Sequence, residues 1–136
     1  MYYSKIVTAT AGKSRSQAEE STIIASAGIL HHVHVFIPQG HAGKAHLTLS
    51  LGEQQIIPAN PDGSLVGNAE TIDFKEHIPL YNYRNRIKLK YWNTSELHDH
   101  SFYVLVGVLA EEYLALEPNI KKLIDRLDKF LWRIGV

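Results

Sequence analysis

The chain has 136 residues, with Lys plus Arg and Asp plus Glu equal at 14 each, eight His, one Met and no Cys. That length suits one domain, and a hydrophobic fraction of 45% suits a packed core rather than a disordered chain. Zero net charge removes a bulk positive field for nucleic acid, and the absence of Cys removes disulfides, thiolate nucleophiles and Cys-ligated metal centres.

Tyr2 to Ala11, rich in Ile, Val, Thr and Tyr, predicts a first strand. Gly12 to Glu20 (GKSRSQAEE) has no apolar period and predicts a long loop or mobile arm, with a short strand over Ser21–Ala27. Gly28 to Ile37 is a clear strand. Strict alternation puts Ile29, His31, Val33, Val35 and Ile37 on one face and Leu30, His32, His34 and Phe36 on the other. Pro38-Gln39-Gly40 ends it, because Pro lacks the N–H a ladder needs.

Lys44 to Leu51 alternates again, with Leu47, Leu49 and Leu51 inward, and Gln54–Pro58 returns as its hairpin partner. Ala59 to Gly63 (ANPDG) is a turn. Glu70–Lys75 is a short strand with Ile72 and Phe74 inward. In Arg86–Trp92, Ile87, Leu89 and Tyr91 oppose Arg86, Lys88, Lys90 and Trp92. Ser101–Leu109 is nearly all apolar and predicts a central strand covered on both faces. Beyond Pro118, Ile120, Leu123, Ile124, Leu127, Leu131 and Ile134 recur at spacings of three and four, the stripe of an amphipathic helix.

These elements predict a mainly β chain: one antiparallel β-sandwich, jelly-roll-like, with an N-terminal strand and polar arm over 1–27, a sandwich core over 28–116 and a C-terminal amphipathic helix over 117–136. The helix is the candidate oligomer or partner interface. No apolar run approaches the roughly 18 residues of a membrane helix, and Met1–Lys5 lacks the character of a secretory signal.

Histidine is the most suggestive chemistry. His32 and His34 share a strand face, the way β-proteins present paired metal ligands, and His98 or His100 is the candidate third ligand. That arrangement would suit a cupin-like metal-dependent enzyme. The expected acid a few residues past the pair is missing, so the favoured reading is a solvent- or subunit-facing strand, with no metal, cofactor or catalytic residue assigned. The Ser95–Ser101 run has Ser, His and Asp but no nucleophile elbow. Arg86, Lys88 and Lys90, interleaved with Tyr81, Tyr83 and Trp92, form a basic–aromatic strip of the kind that binds single-stranded nucleic acid. The favoured reading is an outward polar strand face or an interface to an acidic partner, and Tyr81, Tyr83 and Trp92 also suit stacking on the rings of a host glycan.

Pro38, Gly40, Ala42 and Gly43 are followed by Gln55, Pro58, Asn60, Pro61 and Gly63. Gly67, Asn68, Ile72, Phe74, Trp92, Asn93 and His100 come next. This ordered pattern resembles a group of small β-sandwich proteins encoded by tailed bacteriophages. His41 stands where that family's turn carries a small or thiol residue. The resemblance covers about half the chain. It implies a non-enzymatic virion structural protein, a multi-copy capsid decoration or cement protein or a head–tail accessory. Its partners would be capsid, neck or tail proteins and copies of itself, with no membrane and no specific nucleic acid. Pro38, Gly40, Gly43, Pro58, Asn60, Pro61 and Gly63 are then structural turn residues.

Overall fold

A computed structural model describes residues 1–110 together with Arg126 and Leu127. Its strands are β1 (Tyr2–Ala9), β2 (Glu19–Ala25), β3 (Gly28–Ile37), β4 (Ala45–Leu51), β5 (Gln54–Ile57), β6 (Glu70–Leu80), β7 (Asn85–Asn93) and β8 (His100–Leu109), with a short 3-10 turn at Arg15–Gln17. They form two four-stranded antiparallel sheets, ordered β1-β8-β3-β6 and β2-β7-β4-β5, packed as a sandwich. Within the sheets β1 pairs β8, β2 pairs β7, β3 pairs β6 and β4 pairs β5. The chain is thus one long hairpin rolled over itself, with β8 also bonded to β3 and β7 to β4.

Period-two alternation builds the interior. Val33, Val35 and Ile37 from β3 and Phe102, Val104, Val106 and Val108 from β8 meet Leu47 and Leu49 from β4 and Ile87 and Leu89 from β7, all at 2% exposure or less. A filled aliphatic layer of this kind is the main favourable term in folding.

Four expectations change. Gly12–Glu20 is not a mobile arm: Glu19 and Glu20 already belong to β2, and the loop before them is tied down. Gly12 donates to the Ser95 carbonyl at 2.7 Å and Lys13 to the Asn93 carbonyl at 2.8 Å. In β3 the ladder shifts register between Leu30 and His32, so His31 is an extra residue that reverses the parity. Leu30 therefore points inward with Val33. Strand β8 is central, yet its outer side is not covered by described residues, for Tyr103 there is 42% exposed. Strand β6 runs on to Leu80, and its Pro79 is tolerated because β6 is a sheet edge.

The expected C-terminal helix, with Ile120, Leu123, Ile124, Leu131 and Ile134, lies outside the described residues. Leu127 is described, helical and exposed.

Candidate functional site

The outer face of the β1-β8-β3-β6 sheet presents side chains in three cross-strand rows. Strand register sets Ile6, Tyr103, Phe36 and Thr71 in the first, Ser4, Leu105, His34 and Asp73 in the second, and Tyr2, Gly107, His32 and Lys75 in the third. The first row is apolar and open: Ile6 is 67% exposed, and Phe36 and Tyr103 stack with ring centroids 5.6 Å apart. A shallow hollow of about 300 Å³ runs along it, lined by Ile6, His34, Phe36, Tyr103 and Leu105 among others.

The second and third rows hold a compact polar group. Asp73 lies directly across from His34 and diagonally from His32. One carboxylate oxygen, Asp73 Oδ1, is 2.7 Å from His32 Nε2 and 2.8 Å from His34 Nδ1. These two contacts, His34 first, hold the Asp73 carboxyl below the usual carboxylate range. His32 is oriented by neighbours: the Tyr2 ring meets it edge-on at 6.3 Å and His31 stacks on it at 6.2 Å. Gly107 leaves room for all three, since a Cβ there would come within 2.7 Å of the Tyr2 ring and 3.2 Å of His32 Cβ.

The His98 and His100 expected beside His32 and His34 are elsewhere. His100 pairs with Ala9 at the opposite end of β8. There it meets His41, whose ring is 1% exposed and lies 4.7 Å from the His100 ring and 4.9 Å from Phe102. Neither ring nitrogen of His41 reaches a partner in hydrogen-bond geometry. Burial, then the neighbouring His100, holds the His41 imidazole below its ordinary range, outweighing the Ser101 backbone. Burial does the same to His100, helped by His98 and Lys44 and opposed by Asp99.

The loop that buries His41 contains the turn residues of the sequence pattern. Gly40 and Gly43 take positive φ of 106° and 72°, which a residue without Cβ adopts freely. Asn68 Oδ1 accepts from the Gly40 amide at 2.8 Å and the Ala42 amide at 3.3 Å. In the second turn, Gln55 Nε2 donates to the Pro58 and Asn60 carbonyls at 2.8 and 3.0 Å, and the Gly63 amide donates to Asn60 O. Pro38, Gly40, Gly43, Pro58, Asn60, Pro61 and Gly63 sit in these two loops.

The basic–aromatic strip is divided. Tyr81 and Tyr83 are 75% and 89% exposed, and Tyr81 shares a hollow of about 460 Å³ with Arg86. Lys88 and Lys90 line a different groove, of about 770 Å³, with Arg15, Glu20 and Glu53. Trp92, expected at the surface, is 5% exposed. It stacks flat on His46 with centroids 5.0 Å apart, under the Arg15 guanidinium at 4.9 Å. Arg15 is itself fixed by donating to the Pro61 and Asp62 carbonyls. Trp92 is thus a packing residue, which alternation alone could not reveal because it fixes the face and not what covers it.

No protein-family model matches the chain, and no curated protein matches it. Among solved structures, it is similar to hydroxypropylphosphonic acid epoxidase from S. wedmorenis in complex with fosfomycin, at 8% identity and TM-score 0.37 over 75% of this chain and 41% of that one. FeII HppE is similar at 6% identity and TM-score 0.39 over 78% of this chain and 43% of that one. Fe(II)-HppE with the alternative substrate (S)-1-HPP gives 7% and 0.37 over 76% and 41%. The chain spans less than half the length of these structures, and a likeness this slight carries no argument about function.

Proposed function

We propose that the chain is a non-enzymatic structural protein of a tailed-bacteriophage particle, a jelly-roll sandwich present in many copies as a capsid decoration or head–tail accessory. The rolled-hairpin pairing of the strands supports the jelly-roll winding. The observation that carries the role is the exposed apolar row Ile6–Tyr103–Phe36 on the outer sheet face, opposite an interior filled by aliphatic side chains. Contiguous exposed apolar surface marks contact with another protein, and repetition in a symmetric shell multiplies weak contacts. Its partners are then capsid, neck or tail proteins and further copies of itself, and its place is the virion. Purified particles should contain the chain at fixed stoichiometry; particles that lack it would refute the role.

A second reading is a host-glycan module of the same particle. The exposure of Tyr81 and Tyr83 and the hollow that Tyr81 shares with Arg86 favour it, since aromatic faces stack on sugar rings. A glycan array should then give hits that disappear in Tyr81→Ala; an array without hits removes this reading.

A further inference from the structure

We propose that His32, His34 and Asp73 form a binding site for one divalent transition-metal ion of the zinc type, on the outer face of the β1-β8-β3-β6 sheet. One donor atom from each residue lies within 4.8 Å of the other two, and Asp73 Oδ1 contacts both His32 Nε2 and His34 Nδ1. They come from two adjacent strands in fixed register, so the backbone ladder, not chance side-chain drift, brings them together. Bonds of about 2.0–2.2 Å from a zinc ion to imidazole nitrogen and carboxylate oxygen set ligand atoms about 3–3.5 Å apart in tetrahedral geometry. The present N–O separations of 2.7 and 2.8 Å need open by only about half an ångström to admit the ion.

The donor set selects the ion class. Two imidazoles and one carboxylate suit zinc, nickel or iron(II), whereas calcium and magnesium require oxygen ligands throughout. The surroundings preorganise one ligand: Tyr2 and His31 flank the His32 ring, and the missing side chain at Gly107 makes the space they share. Three protein donors leave a fourth position of a tetrahedral shell for water or a donor from a docked molecule. Lys75 lies across from His32 on the same face.

The test is calorimetric titration of the metal-stripped chain with zinc chloride in a non-chelating buffer. About one ion per chain is expected at micromolar zinc, with affinity weakened roughly tenfold or more in Asp73→Asn and in His34→Ala. His98→Ala, an exposed histidine outside the group, should bind as the parent does. Asp73 has a 60% exposed side chain, so its Asn variant should stay folded without metal, and its melting measured beside the parent's keeps the comparison between folded chains. No uptake at micromolar zinc, uptake undiminished in Asp73→Asn and His34→Ala, or equal loss in His98→Ala would each overturn the site.

Discussion

His41 lies against His100 with ring centroids 4.7 Å apart at one end of the sandwich, with both of its ring nitrogens unpaired and Phe102 meeting its edge. A pair of imidazoles so placed favours the uncharged form, because burial and a second positive charge beside the first outweigh the opposing Asp99 carboxylate and Ser101 backbone.

Stability should therefore fall on mild acidification. Both groups titrate below their ordinary value when folded and return to about 6.5 when unfolded, so the unfolded chain binds protons more readily. Their stabilisation is whole above about pH 6.5 and is lost as pH falls through the folded-state values. His98 and Lys44 add to this trend, and Asp99 opposes it. The thermal midpoint should be lower at pH 5.5 than at pH 7.5. His41→Phe should flatten the profile without abolishing it, since burial also holds His31 and His46 low. A midpoint that rises on acidification would contradict the sign.

Asn68 should matter for its oxygen alone. Asn68→Ala strands the Gly40 and Ala42 amides near the surface and should cost about 1 kcal/mol in urea denaturation. Asn68→Asp keeps the acceptor and should recover most of that loss. Equal losses in the two variants would show that Asn68 acts by some other contact.

Trp92 and Tyr83 should separate cleanly in stability. Trp92→Ala removes the buried ring that stacks on His46 and meets the Arg15 guanidinium, and should cost about 3–5 kcal/mol. Arg15→Ala should cost about 1 kcal/mol. Tyr83→Ala, on an open loop, should stay within about 0.5 kcal/mol of the parent. Any loss of ligand binding in a Trp92 variant is then a folding effect, which circular dichroism at the assay temperature would reveal.

The apolar row should govern association. Phe36→Ser with Tyr103→Ser breaks the stacked pair on the open face. Sedimentation equilibrium should show weaker self-association or particle binding, with the sandwich still folded. Unchanged association would place the contact on another surface.

The strands were legible where one face is buried. Leu47 and Leu49 in β4, and Ile87, Leu89 and Tyr91 in β7, alternate as the core requires. Edges were harder to read. The Glu19–Glu20 start of β2 and Glu76–His77 of β6 are polar and on sheet edges, and Pro79 interrupts the apolar Ile78–Leu80 end, so both stretches resemble loops in composition. The bulge in β3 is consistent with the sequence: Leu30 and Val33 are both apolar yet three apart, and the extra residue His31 puts them on one face. The His32 and His34 pair was visible by its spacing. Asp73 was not, since it lies 39 residues beyond His34 and meets it only through the β3–β6 register. An acid at an outward position between Ile72 and Phe74 was the available hint.

The rolled hairpin has a consequence in time as well as space. Strand β8, the last of the described strands, lies between β1 and β3, and the Met1 amine donates to the Val108 carbonyl at 2.7 Å. The β1-β8-β3-β6 sheet therefore has no centre until residues 100–109 have been synthesised, and β1 has no ladder partner until then. During translation β1 and the facing edge of β3 wait with bare amides and carbonyls, a template for pairing with the wrong chain. Joining them requires contacts spanning nearly the whole described chain, which makes folding slow for its size. A nascent chain without β8 holds β3 paired with β6 alone, its other edge open.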